Sequence, residues 1–280
     1  MSRRVMKISV IISTYNQPCY LDLVLKSLSN QININFNDYE VIIADDGSSN
    51  DTELIISAYK SNFPFKFLHV WHNDYGFRKA HILNKSVAAS TGDYLIFIDG
   101  DCIVSEDFLY GHAKMAEVGF FIAGNRVLLS KDFTSEIVEK NINLHNITKL
   151  KWLFLYLNSS VNKLSHWIRL SYNGKFRKLR SDNWKYPKGC NISLWKDSYI
   201  AINGYDESFS GWGHEDADFF IRLLHFGIKI KDGRLAVPVY HLWHKFNDRS
   251  NEQSNLKLLY SRVVDDNFIK AIDGIDKYLH

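Results

Sequence analysis

Cysteine is scarce in this chain. Three of 280 residues, Cys19, Cys102 and Cys190, are cysteine. They are odd in number and widely spaced, so they build neither a disulfide framework nor a thiolate metal site. A reducing, cytoplasmic setting is the expectation. No apolar stretch is long enough to span a bilayer. Met1-Ser2-Arg3-Arg4 resembles the basic start of a signal peptide. The apolar stretch behind it is short, lacks a small-residue cleavage site and runs into Ser13-Thr14-Tyr15-Asn16, so it reads as a first strand. Charge of one sign is also missing: 34 basic and 31 acidic residues leave +3, too little by itself to argue for nucleic acid. There are no internal repeats and no low-complexity tract. What is present, 46% apolar and 23% charged residues, suits one large α/β domain of a soluble protein, with or without an appended subdomain.

Strand and helix patterns alternate through the first half. Lys7 to Ser13, Tyr39 to Ala44, Phe65 to Trp71 and Asp93 to Ile98 read as strands. Pro18 to Ser29, Asp51 to Tyr59 and Lys79 to Ala89 carry helical spacing. That alternation predicts a doubly wound, mostly parallel sheet. After about residue 130 it stops. Helices are predicted over Phe133 to His145, Leu150 to Leu170 and Asn251 to Ile272. A short strand is predicted after Pro187-Lys188-Gly189-Cys190-Asn191, and a last one over Ala236 to His241. Residues 1–130 are expected to form one half and 131–280 the other, with a basic helical insertion over about 144–186.

Two motifs carry chemistry. Leu95-Ile96-Phe97-Ile98-Asp99-Gly100-Asp101-Cys102 is a buried-strand pattern ending in Asp-x-Asp. Carboxylates at the C-terminal end of a parallel strand sit where open α/β sheets bind ligands, and paired Asp oxygens suit Mg²⁺ or Mn²⁺. Taken alone, an Asp-Gly turn closing a strand is the better explanation of so short a motif; the hydrophobic strand in front of it and the acidic turn later in the chain favour function. Gly211-Trp212-Gly213-His214-Glu215-Asp216-Ala217-Asp218 places three acids and a tryptophan on a glycine turn before a helix. One acid would cap that helix. Three acids with a Trp between glycines fit a sugar cleft, in which the ring offers an apolar face and a carboxylate takes a hydroxyl proton. Thr14-Tyr15-Asn16 and Asp45-Asp46-Gly47-Ser48 also close strands and should converge on the same crevice. Cys102 and Cys190 read as small packing residues. Trp152, Phe154 and Tyr156 read as helix packing.

In order and spacing these motifs resemble glycosyltransferase family 2, of GT-A fold. Gly189-Cys190-Asn191, Asn203-Gly204-Tyr205-Asp206, the Gly211 turn and Asn251-Glu252 look like the C-terminal half of β-1,4-galactosyltransferase and chondroitin-polymerase type enzymes. The resemblance covers Lys7 to about Asn255, but Leu144 to Tyr186 has no counterpart in it. It implies an inverting, metal-dependent enzyme that moves a hexose or N-acetylhexosamine from a UDP-sugar to an oligosaccharide or lipid-linked glycan. Thr14, Tyr15, Asn16, Asp45 and Asp46 would hold the uridine, with Arg78 and Gly189 on the donor side. Asp99 would face the ribose or the metal, and Asp101 would ligate Mn²⁺ or Mg²⁺. His241 and His244 match a late segment where galactosyltransferases carry a Met and a His as ligands. Trp212 and Glu215 would bind acceptor, and Asp216 would be the general base.

Between Lys149 and Arg180 lie eight basic residues and no Asp or Glu, interleaved with Trp152, Phe154, Trp167 and aliphatics. This composition fits a helix lying on the anionic inner face of the cytoplasmic membrane. It fits equally a solvated basic face over a packed subdomain. No nucleic-acid motif accompanies it. Two rival functions fit parts of this pattern. A sugar nucleotidyltransferase would need a glycine-rich basic loop where Thr14-Tyr15-Asn16-Gln17-Pro18 stands. A non-catalytic glycan-binding module would not need Asp-x-Asp, two histidines and the acid turn together.

Overall fold

The computed structural model describes residues 6–164, 168–245 and 248–279. Four parallel strands form its base: β1 (Ile8–Thr14), β2 (Tyr39–Asp45), β3 (Lys66–Trp71) and β4 (Tyr94–Asp99). Helices α1 (Pro18–Ser29), α2 (Asn50–Lys60) and α3 (Lys79–Ala89) connect them. Side chains alternate across a strand. Ile8, Val10 and Ile12 of β1 therefore enter one core layer with Leu21, Val24 and Leu28 of α1. Ile11 enters the other layer with Ile82 and Leu83 of α3. Burial on both faces explains the unbroken apolar runs.

The segment from 102 to 128 gave no clear reading in the sequence. It holds β5 (Cys102–Val104), α4 (Phe108–Met115), β6 (Phe120–Ala123) and β7 (Arg126–Leu128). Helices α5 (Lys131–Lys140) and α6 (Lys149–Leu157) follow, then β8 (Asn191–Trp195), α7 (Lys196–Ala201) and α8 (Glu215–His225). β9 (Lys229–Asp232), β10 (Val239–His241) and α9 (Glu252–Val263) complete the chain. The large sheet runs β3-β2-β1-β4-β8-β6-β9 and a small one runs β5-β10-β7. β8 lies antiparallel between β4 and β6, so strands from both halves of the sequence share one sheet.

Three predicted helices are shorter than expected. Asn141, at φ 49°, ends α5 in the left-handed conformation, which Asn tolerates. α6 stops at Asn158 and Ser159, the latter at φ 57°. The chain then runs without α-helix through the described residues to β8. α9 ends just before Asp265 and Asp266, whose charges oppose a helix C-terminus. The basic segment is mostly a packed subdomain. Trp152 is buried and stacks on Tyr240 with centroids 5.1 Å apart. Arg177 is buried and donates to the carbonyls of Ser171, Asp232 and Arg234. Arg169 pairs with Asp107 and Lys178 with Glu117. Phe154 and Tyr156, expected to pack, are instead exposed. Trp167 lies outside the described residues, as do Met1 to Arg4.

Candidate active site

β1, β2 and β4 end together. Their register sets Thr14 beside Asp45 and Ser13 beside Asp99, which opens a crevice at the carboxyl edge of the sheet. Asp45 and Asp46 are buried and already engaged. Asp45 lies 3.0 Å from His69 Nε2 and accepts from the Ser48 amide at 2.8 Å. Burial raises the Asp45 carboxyl, but these partners outweigh it and hold it below its ordinary value. Asp46 lies 2.7 Å from His72 Nε2 and accepts from the Arg78 amide at 2.8 Å. The two acids therefore shape the loop and fasten the start of α3 to the end of β2. Asn16, at φ 49°, donates its amide to Ser48 Oγ and accepts from the Ser49 amide. Tyr15 is half exposed and donates to Asp74. Thr14 Oγ1 is buried with no hydrogen-bond partner among the described residues. The Arg78 guanidinium lies near the Tyr75 ring and pairs with no carboxylate among them.

Asp101 precedes β5 and His241 ends β10. The antiparallel register pairs Cys102 with His241, so strand pairing brings the distant motifs together. Asp101 Oδ2 lies 3.2 Å from His244 Nε2 and 3.7 Å from His241 Nε2. One ligand atom from each residue lies within 4.8 Å of the other two. His244 Nδ1 is 2.7 Å from the Lys245 carbonyl. A carbonyl only accepts, so Nδ1 carries a proton and Nε2 is the ring nitrogen that faces Asp101. The cluster thus offers one carboxylate oxygen and two imidazole nitrogens, a donor set that divalent cations take. The residues therefore fit a divalent metal. Asp99, expected at the ribose or the metal, stands outside this cluster. Its Oδ1 accepts from Ser13 Oγ at 2.7 Å and from Lys79 Nζ at 2.8 Å. Burial raises the Asp99 carboxyl, but Lys79 and Ser13 bring it below its ordinary value, and His241 adds to that.

The third group sits on the glycine turn. Gly213 (φ 118°) and His214 (φ 71°) are left-handed, and α8 starts at Glu215. Asp216 accepts from Tyr205 Oη and from the Gly189 amide, each at 3.2 Å. A Cβ at Gly189 would overlap the Asp216 carboxylate, so a larger residue there would displace the acid from its present position. Gly189 was assigned to the donor side, and here it braces the acid. Burial and then the neighbouring Asp216 charge hold the Tyr205 hydroxyl well above its ordinary value, so it stays a donor. Glu215 is buried and accepts from the Gly213 amide at 3.0 Å. Burial first, and the Asp216 charge second, push it up to about 7. Asp218, the third acid of the motif, faces away from this pair into a buried ion network with Arg222 and Arg262.

Lys79 joins the groups. Burial disfavours its charge, but Asp99 and then Asp216 and Glu215 outweigh that and hold the ammonium well above its ordinary value. Sequence reasoning missed Lys79, although it adjoins Arg78 in a quoted motif. It also gave Tyr205 no role, although that residue follows the Asn203-Gly204 turn. Trp184 went unnoticed because it belongs to none of the motifs that carry the resemblance. Trp184, Lys188, Trp212, Glu215, Asp216 and Tyr260 line a cleft of about 340 Å³. The described residues thus carry three candidate features: the carboxyl-edge crevice, the Asp-His cluster and the acid-aromatic cleft.

The chain belongs to glycosyltransferase family 2: the family model described as "Glycosyl transferase family 2" matches residues 9–186, more than half of it. A second model, "N-terminal domain of galactosyltransferase", matches residues 171–245. The chain is 27% identical over 297 residues to a chondroitin synthase of Pasteurella multocida (strain Pm70), covering 98% of this chain and 29% of that protein. It is 25% identical over 239 residues to validoxylamine A glucosyltransferase of Streptomyces hygroscopicus subsp. jinggangensis, covering 81% and 53%. It thus spans roughly a third to a half of the length of such curated relatives. Among solved structures, S. aureus TarS 1–349 in complex with UDP superposes with a TM-score of 0.62 at 16% identity, covering 98% of this chain and 70% of that one. Mannosyltransferase PcManGT from Pyrobaculum calidifontis, in complex with GDP-Man and Mn2+, gives 0.60 at 13%, covering 86% and 58%. At those identities the likeness shows the shared fold.

Proposed function

We propose that this domain is an inverting glycosyltransferase that moves a hexose or N-acetylhexosamine from a UDP-sugar to a glycan, in the synthesis of a bacterial surface polysaccharide or lipooligosaccharide. The observation that carries the proposal is Asp216. It is held by Tyr205 and Gly189 on the wall of a tryptophan-lined cleft, and Lys79 ties its charge to the strand end bearing Asp99. In this reading the acceptor hydroxyl oxygen attacks the anomeric carbon while the bond to the β-phosphate oxygen breaks and UDP leaves. Asp216 takes the hydroxyl proton. Inversion follows, because attack and departure are in line. Trp212 and Glu215 position the acceptor. Thr14 Oγ1, Tyr15 and the unpaired guanidinium of Arg78 face the nucleotide, while Asp45, Asp46 and Asn16 keep its loop in shape. Asp101, His241 and His244 would hold Mn²⁺ or Mg²⁺, which neutralises the leaving diphosphate when bound. The UDP held by TarS in its complex supports the donor assignment.

Incubation with a panel of labelled UDP-sugars, with and without Mn²⁺, tests this. Metal-stimulated release of UDP is expected. Release of pyrophosphate would make the protein a nucleotidyltransferase, and release of neither would make it a binding module.

We infer further that the domain works at the inner face of the cytoplasmic membrane. Leu150, Phe154 and Leu157 form an exposed stripe on α6, flanked by exposed Lys149 and Lys151. Buried apolar area beside cations favours an anionic bilayer surface. No described helix is long and apolar enough to cross a membrane.

A further inference from the structure

The cleft beside Asp216 does not end there. A neighbouring groove of about 580 Å³ shares Trp184 and Lys185 with it and extends to Arg180. Along this path lie exposed Lys188, Lys185 and Arg180. Among the described residues none of the three reaches a carboxylate within salt-bridge distance; the Lys185 ammonium instead lies 5.3 Å from the Trp184 ring centroid. The groove holds one acid, Asp182, which takes a hydrogen bond from Ser181 at 3.1 Å. A track for a neutral glycan needs aromatic faces and hydrogen-bonding groups. Three cations without carboxylate partners along such a track give a neutral chain only hydrogen bonds to hydroxyls, whereas a chain with repeated negative charges gains charge pairing as well.

We propose that the acceptor is an anionic glycan chain. Its terminal sugar lies at Asp216 and Trp212, and its preceding units cross Trp184 toward Arg180. Carboxylates or phosphates on those units pair with Lys188, Lys185 and Arg180. This rests on the transferase reading above and names its acceptor class.

Trp184 and Trp212 supply the readout, since a bound chain changes their fluorescence. Three probes are titrated into the full chain with UDP present. One is a hexasaccharide alternating glucuronic acid and N-acetylglucosamine, the second is the same molecule with its carboxyls reduced to alcohols, and the third is a glycerol-phosphate oligomer. At least one anionic probe should bind roughly tenfold more tightly than the neutral one, and the difference should shrink as salt screens it. Whichever anionic probe wins identifies carboxylate or phosphate as the group read. Lys185→Gln with Lys188→Gln should weaken that probe roughly five- to tenfold, as for two exposed ion pairs, and leave the neutral probe unchanged. Both lysines are exposed, and matching circular dichroism will confirm that the variant is folded. Equal binding of all three probes, binding of none, or an unaffected double variant would overturn the proposal. UDP release from UDP-sugar by wild-type protein without acceptor is measured separately. Its failure counts against the transferase reading, and its success beside equal probe binding counts against the anionic acceptor alone.

Discussion

Asp216 and Glu215 are sequence neighbours with different environments, and their chemistry divides accordingly. Both line the cleft, but Asp216 has both oxygens accepting from fixed donors, while Glu215 is buried and pushed up to about 7. Asp216→Asn should cut turnover by roughly 10²–10⁴, the share a positioned base contributes. UDP affinity measured by calorimetry should stay close to wild type, because the loss falls on the transition state. Near-wild-type turnover in Asp216→Asn, with Glu215→Gln inactive, would move the base to Glu215. Glu215 also sets a stability limb. Its folded value of about 7 lies above the ordinary 4.5, so the folded state binds the extra proton between them, and stability falls as pH rises through that window. His112 acts in the opposite sense. Burial lowers it from 6.5 to about 3, so its contribution is lost as pH falls. Glu215→Gln removes only the first effect. Its melting temperature should gain on that of the wild type as pH rises from 4.5 to about 7, and parallel curves would show that Glu215 titrates normally.

At the scale of elements, the acceptor cleft depends on how α8 and α9 are joined. Arg262 of α9 lies 2.7 Å from Asp218 of α8 and 3.0 Å from Asp206, and Arg222 lies 2.8 Å from the other Asp218 oxygen. All four side chains are buried. Removing one partner of a buried ion pair leaves an uncompensated charge, at a cost of about 3–5 kcal/mol. Arg262→Met should lower the unfolding free energy by that amount, read as a lower denaturant midpoint. Leu256 and Tyr260 of α9 line the cleft, so glycan binding should weaken more than UDP binding. An unchanged midpoint would mean the network is dispensable. The four parallel strands and three helices of the first half were legible because buried runs and 3.6-residue spacing persist over whole elements. β5, β6 and β7 have three or four residues each, too few for any period to show. The predicted helices overran because left-handed Asn141 and Ser159 stop α5 and α6, and neither is a glycine or proline that would mark a stop in sequence.

The whole molecule brings together groups that the chain keeps far apart. Asp101 and His244 meet only because β5 pairs with β10. Asp101→Ala should abolish Mn²⁺ binding seen by electron paramagnetic resonance, and His244→Ala should weaken it more than His241→Ala does, since His244 lies nearer Asp101. Wild-type Mn²⁺ affinity in all three variants would remove the cation from this cluster. Membrane contact is tested at the same scale. Leu150→Ser with Phe154→Ser should reduce co-sedimentation with anionic liposomes at low salt, where the attraction is least screened. Wild-type protein remaining in the supernatant would end that reading, and α6 would then be a bare surface of the subdomain.

The sequence by itself determined the nucleotide-side architecture, the order of the motifs and the residue types at the site. Those are local properties: an apolar run closed by Asp-x-Asp, and a tryptophan between glycines before paired acids. Only the tertiary structure decided what each residue touches. It placed Asp218 in an ion network, turned Asp45 and Asp46 onto their own loop, and gave Gly189 its role by setting the Asp216 carboxylate where a Cβ would stand. It also set the Lys79 ammonium on Asp99, where the charges of Asp216 and Glu215 further favour it. These outcomes depend on strand register and helix docking, which join residues as distant in sequence as Cys102 and His241, and no local pattern records such a contact.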